Sequence, residues 1–198
     1  MYHYAGNNPV RYTDPNGKED VLVCIAINNK THSGQHAMML YRNQINPTKN
    51  LMVDANGSYG YQNGRTQASA LLTYSKEVPL TLGSYISYFR GTKNQSLYVY
   101  QITGTSDNIK QLKQAMEKAD FQIPIASCAA SVSDVIDKSE LFPDFKKTIF
   151  PKKIFEFFEK QVKNQQKLPN ENNKSLEIKL YIYNLSEKNY KGENYGDY

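Results

Sequence analysis

The chain has 198 residues and a net charge of +5, with a mean hydropathy of −0.66. That length is enough for one domain with a full hydrophobic core, and no apolar run approaches the ~20 residues a membrane-spanning helix needs. The basic balance suits an anionic partner such as nucleic acid, an anionic cell wall or an acidic protein, although much of the lysine lies after Lys146, where a solvated, Asn- and Gln-rich tail accounts for it equally well.

Residues 1–19 are turn-rich and lack a periodic apolar face. Asp20 to Asn28 (DVLVCIAIN) reads as a strand, and its dense β-branched content predicts burial, with Cys24 as a core thiol. A polar loop to Gly34 leads into a second strand, Gln35 to Arg42. Asn46 to Asn50 is a turn, and Leu51 to Ala55 (LMVDA) a third strand, antiparallel to the second. The span from Ser58 to Gly91 is irregular, with one short helix expected around Thr81 to Phe89.

Gln95 to Thr103 is the next strand. Ser106 and Asp107 are expected to cap a helix running to Lys118, with Ile109, Leu112, Met116 and Ala119 on one face. After the apolar approach Ile123 to Ala126, Ser127 and Cys128 open a helix with Val132, Val135 and Ile136 inward. Pro151 opens another, through Val162. Along it Ile154, Phe157, Phe158 and Gln161 read as a core-packing face, with an amphipathic membrane or partner surface as the other reading of Phe150 to Lys163. Lys163 to Lys174 is expected to be a linker, and Ser175 to Leu185 a strand.

Nucleophilic catalysis by cysteine requires a stabilised thiolate, an imidazole to move protons, and a group that fixes the imidazole's tautomer. Cys128 stands where a helix N-terminus offers orphan amides to its sulfur. A buried small hydrophobe is the other role open to it. His36 begins the second strand, away from His3 in the opening segment and His32 in the loop. Asp54 ends the third strand, and antiparallel pairing puts it at the same end of the hairpin as His36. A turn-initiating role before Asn56-Gly57 is equally open to Asp54. Cys24 and Cys128 have no metal-ligand spacing, and a disulfide between them is open. The sequence holds no Cys-x-x-Cys or glycine-rich phosphate loop, and no paired acidic cluster of a two-metal nuclease.

Two resemblances add to this reading. The string Tyr2-His3-Tyr4-Ala5-Gly6-Asn7-Asn8-Pro9-Val10, continued by Asp14-Pro15-Asn16-Gly17, resembles the motif that closes the β-shell of Rhs/YD-repeat polymorphic toxins. The resemblance implies that residues 1–19 end such a shell and that an effector domain follows. It further implies secretion or delivery into a target cell, in periplasm or cytoplasm, and a cognate immunity protein. The second resemblance is to circularly permuted papain-like domains of the NlpC-type and LRAT-like group. Gly34-Gln35-His36-Ala37 looks like that group's Gly-His-Ala strand with Gln35 inserted, and Ser127-Cys128-Ala129 like its Asn-Cys-Ala helix start with Ser in place of Asn.

Together these give an expected α+β fold of permuted papain-like type, an antiparallel sheet packed against the helix that carries the cysteine. The effector domain is expected over 20–162, with a linker, an additional strand and a flexible tail over 163–198. The expected activity is thiol-based hydrolysis or transfer at an amide or acyl bond by Cys128, His36 and Asp54, without a metal or organic cofactor, on a peptide, protein-amide or lipid substrate. A nuclease tail and a non-enzymatic target-binding toxin are the alternatives; no nucleic acid partner is favoured.

Overall fold

The β-branched run near the start builds the centre of the molecule. In the computed structural model, β1 (Glu19–Asn28) lies between β2 (Gly34–Asn43) and β5 (Gln95–Gly104), paired antiparallel to both. The structure describes residues 19–55, 59, 71–73, 79–89, 92, 94–119, 128–167 and 176–186. The opening motif, the Ile123–Ala126 approach and Ser127 lie outside them.

Outward from β1 on one side follow β2, then β3 (Leu51–Val53) and β4 (Leu71–Thr73). On the other side β5 is followed by β6 (Leu176–Asn184). All five pairings are antiparallel, in the order β4-β3-β2-β1-β5-β6. With four described helices, the fold is α+β.

A strand buried on both faces reads as a continuous apolar run rather than an alternating one. β1 is such a strand. Val21, Val23, Ile25 and Ile27 point into a core shared with α2 (Ser106–Glu117), α3 (Cys128–Lys138) and α4 (Pro151–Lys167). Leu22, Cys24 and Ala26 point the other way, into a second cluster with Leu80 and with Tyr85 of α1 (Leu82–Phe89). Cys24 is the core thiol its neighbours predict, and both cysteines are free, so the disulfide left open above does not form. The helices follow their apolar faces: Ile109, Leu112 and Met116 of α2, and Val132, Val135 and Ile136 of α3, are buried.

Several expectations shift. Thr105, not Ser106 or Asp107, caps α2: its backbone is extended and its Oγ1 accepts from the Asn108 N–H at 3.1 Å. Asp107 falls in the first turn, where its charge complements the helix dipole. β4 forms inside the stretch read as irregular. α4 runs five residues beyond Val162, so Lys163 to Lys167 are helical rather than linker. β6 pairs with β5 along its whole length, so the sheet extends past residue 162.

Candidate active site

The first device that shapes the site is a one-residue β-bulge. Ala26 pairs with His36 and Ile27 with Gly34, which leaves Gln35 without a partner on β1. Cross-strand partners share a face. Gly34 therefore joins Ile27 on the side of the three large helices, and His36 joins Ala26 on the side of α1. The Gln35 insertion that departs from the Gly-His-Ala pattern is absorbed as this bulge. Gly34 is required where it stands: a Cβ there would lie 2.4 Å from the Lys152 nitrogen and 2.8 Å from the Pro151 Cβ, at the start of α4.

β3 supplies the second group. Its last ladder pair is Val53 with Met39, so Asp54 follows opposite Met38 and His36 is its diagonal neighbour on the same face. Asp54 Oδ1 and His36 Nε2 are 2.5 Å apart. A carboxylate can only accept, so Nε2 donates. The Asp54 side chain is fully buried and that of His36 is 17% exposed. Its buried Oδ2 has no partner among the described residues. Asp54 thus makes the contact an orienting group would make, while the turn before Asn56-Gly57 lies outside the described residues.

The third group comes from the first residue of α3. Cys128 is partly exposed, and its thiol and the His36 ring act on each other electrostatically, each shifting the other's protonation. With Nε2 taken by Asp54, Nδ1 is the nitrogen left for the sulfur. β3 ends at Val53, so among the described residues the β2 edge beyond Met39 has no strand partner on that side. There the Ala37 N–H reaches the sulfur, as does the Ala129 N–H from the first turn of α3. The three residues picked out in the sequence thus come together: Asp54 hydrogen-bonds His36, and His36 acts on Cys128.

The electrostatics follow from these contacts. Burial works against the Cys128 thiolate, yet the His36 hydrogen bond and charge, with the Ala37 and Ala129 amides, hold the thiol below its ordinary range. Burial likewise works against the His36 imidazolium. The hydrogen bond that the ring donates to Asp54, and then its interaction with Cys128, outweigh it and raise the imidazole above its ordinary value. Both shifts favour a thiolate–imidazolium pair. Cys24 shows the contrast: burial dominates and pushes its thiol up, out of reach of ionisation.

One part of the site was missed in the sequence. Phe89 of α1 stacks on His36, with ring centroids 6.4 Å apart and planes 29° apart. Tyr85 and Tyr88 buttress Phe89 at 4.7 and 4.9 Å, and Tyr59 packs on both tyrosines at 5.4 Å. Tyr85 is buried, and its hydroxyl is pushed well up by that burial and then by the charges of Asp54, Cys24 and Cys128. The signal was legible: Tyr85, Tyr88 and Phe89 stand at i, i+3 and i+4 on one helix face. Among the described residues, no three His, Cys, Asp or Glu side chains gather as a metal site.

No family model, curated protein or solved structure matches this chain.

Proposed function

We propose that the chain is a cysteine hydrolase or acyltransferase, a permuted papain-like effector domain of an Rhs-type toxin acting at an amide or acyl carbonyl. A peptidoglycan peptide or a protein amide is the favoured substrate. One observation carries this reading: Asp54 hydrogen-bonds His36, and His36 acts on a partly exposed Cys128 at a helix N-terminus. The opening motif supports the Rhs ancestry, with an immunity protein and an Rhs shell as the partners it implies.

The chemistry proceeds in balanced steps. The Cys128 thiolate attacks the carbonyl carbon, and the carbonyl π electrons move to oxygen. Backbone amides near Cys128 hold that oxyanion. The tetrahedral intermediate collapses to a thioester as imidazolium His36 gives its proton to the leaving amine or alkoxide. Water or another acceptor then loses a proton to His36, attacks the thioester, and releases the acid or transferred product with the thiolate restored. Asp54 keeps the Nε2 proton in place, so Nδ1 always faces the sulfur.

The test is expression in a bacterium, with and without a periplasmic export signal, of the wild type and of Cys128→Ala. Growth arrest is expected from the wild type only, in at least one compartment, with the variant accumulating as folded protein. Lysis upon export alone would assign the substrate to the cell wall, and arrest without export to a cytoplasmic amide. A Cys128→Ala protein as toxic as the wild type would overturn the thiol mechanism.

A further inference from the structure

The basic and aromatic stretch around the start of α4 divides into two parts. Ile154 and Phe158 turn inward and are fully buried, as a core-packing face should be. Ile149 and Phe150, immediately before, do the opposite and are 51% and 60% exposed. Large apolar side chains left in water side by side at a fixed point mark a contact surface.

The point is fixed. The Thr148 N–H donates to Ser133 Oγ of α3 at 2.8 Å, and the Phe150 N–H donates to Thr148 Oγ1 at 3.1 Å. Pro151 then begins α4 and presses on Gly34. Gly34 precedes His36 on β2, and the two face opposite sides of the sheet, so the tip stands on the helix side of the strand that carries His36.

The charge around the tip says what it meets. Lys146 to Lys153 reads KKTIFPKK, with four lysines and no acidic residue. Lys147 is engaged by Asp134 and Asp137 at 3.2 and 3.0 Å, and Lys153 by Glu156 at 2.9 Å. Lys146 and Lys152 are exposed and enter no ion pair among the described residues. We propose that this tip docks the protein on an anionic lipid bilayer. Ile149 and Phe150 enter the boundary between headgroups and acyl chains, and Lys146 and Lys152 meet lipid phosphates. Two apolar side chains are far short of the ~800 Å² per partner of a stable protein–protein interface. They match the shallow insertion of a peripheral membrane contact.

Co-sedimentation of the full chain carrying Cys128→Ala tests this, with vesicles of phosphatidylcholine alone and with phosphatidylglycerol added. Binding is expected on the anionic vesicles, weakened by salt, and little on phosphatidylcholine. Ile149→Ser with Phe150→Ser, and separately Lys146→Glu with Lys152→Glu, should each lower vesicle affinity about tenfold or more, with thermal melts unchanged because all four side chains are exposed. No binding to anionic vesicles at low salt would overturn the proposal. So would serine variants that bind as the parent does, or serine variants that change only the oligomeric state.

Discussion

Cys24 and Cys128 carry the same thiol and differ in what surrounds it. Around Cys24 there is packed strand, and burial keeps the proton on. Around Cys128 there is a donor ring and two amides, which outweigh burial. Thiolate Cys128 contributes stability above the ordinary thiol pKa of ~8.5, lost as pH falls through its lowered folded value. Imidazolium His36 contributes below ~6.5, lost as pH rises through its raised folded value. The reactive ion pair therefore holds between the lowered Cys128 value and the raised His36 value. Peptide mapping after iodoacetamide treatment at about pH 6.5 should find Cys128 alkylated and Cys24 untouched until the chain unfolds. Asp54→Ala should move the alkylation midpoint of Cys128 upward and cut turnover by roughly 10²-fold or more. Equal labelling of the two cysteines, or a Cys128 midpoint at that of a free thiol, would remove the basis for a cysteine nucleophile.

Among the elements, β2 carries the most consequence for the site. The bulge lets Gly34 serve the α4 contact and His36 serve the active site on opposite faces, one step apart in the ladder. Removing Gln35 would leave Gly34 opposite Ile27 and His36 opposite Ala26 with no bulge between them. A Gln35 deletion is thus expected to fold and to keep activity within about tenfold, since the pairing is unchanged. A folded but inactive deletion would mean that the Gln35 side chain itself takes part. Gly34→Ala is the opposite case. Its methyl meets backbone at 2.4 Å, so α4 must move, and a loss of about 1–3 kcal/mol is expected in urea denaturation; an unchanged midpoint would contradict the close approach. The strands that place His36 and Asp54 at one hairpin end were readable because short apolar runs flank the polar turn from Asn46 to Asn50. β4 was not readable, because Leu71-Leu72-Thr73 is too short to carry a period. The end of α4 was hidden by its polarity: Gln165, in the expected linker, accepts from the Ile178 N–H at 3.0 Å and so ties the last helical turn to β6.

At the scale of the whole molecule, that tie decides how much of the chain the site needs. A boundary near residue 162 would make β6 an accessory, yet β6 completes both cores. Ile178 packs with the helices on one face, and Tyr183 and Leu185 with the α1 cluster on the other. Each such side chain contributes about 1.5–3 kcal/mol when buried, so the three together approach the ~5–15 kcal/mol that holds a typical domain. β6 also pairs with the outer edge of β5, from Ser96 to Gly104, whose inner edge bonds β1. Truncation after Lys167 is therefore expected to abolish cooperative urea unfolding, and with it the alkylation selectivity of Cys128, although none of the three site residues is removed. The check is a urea titration followed by circular dichroism on the truncated and full chains. A truncated chain that unfolds cooperatively within about 1 kcal/mol of the full one would show that five strands suffice to hold the α3 N-terminus over β2.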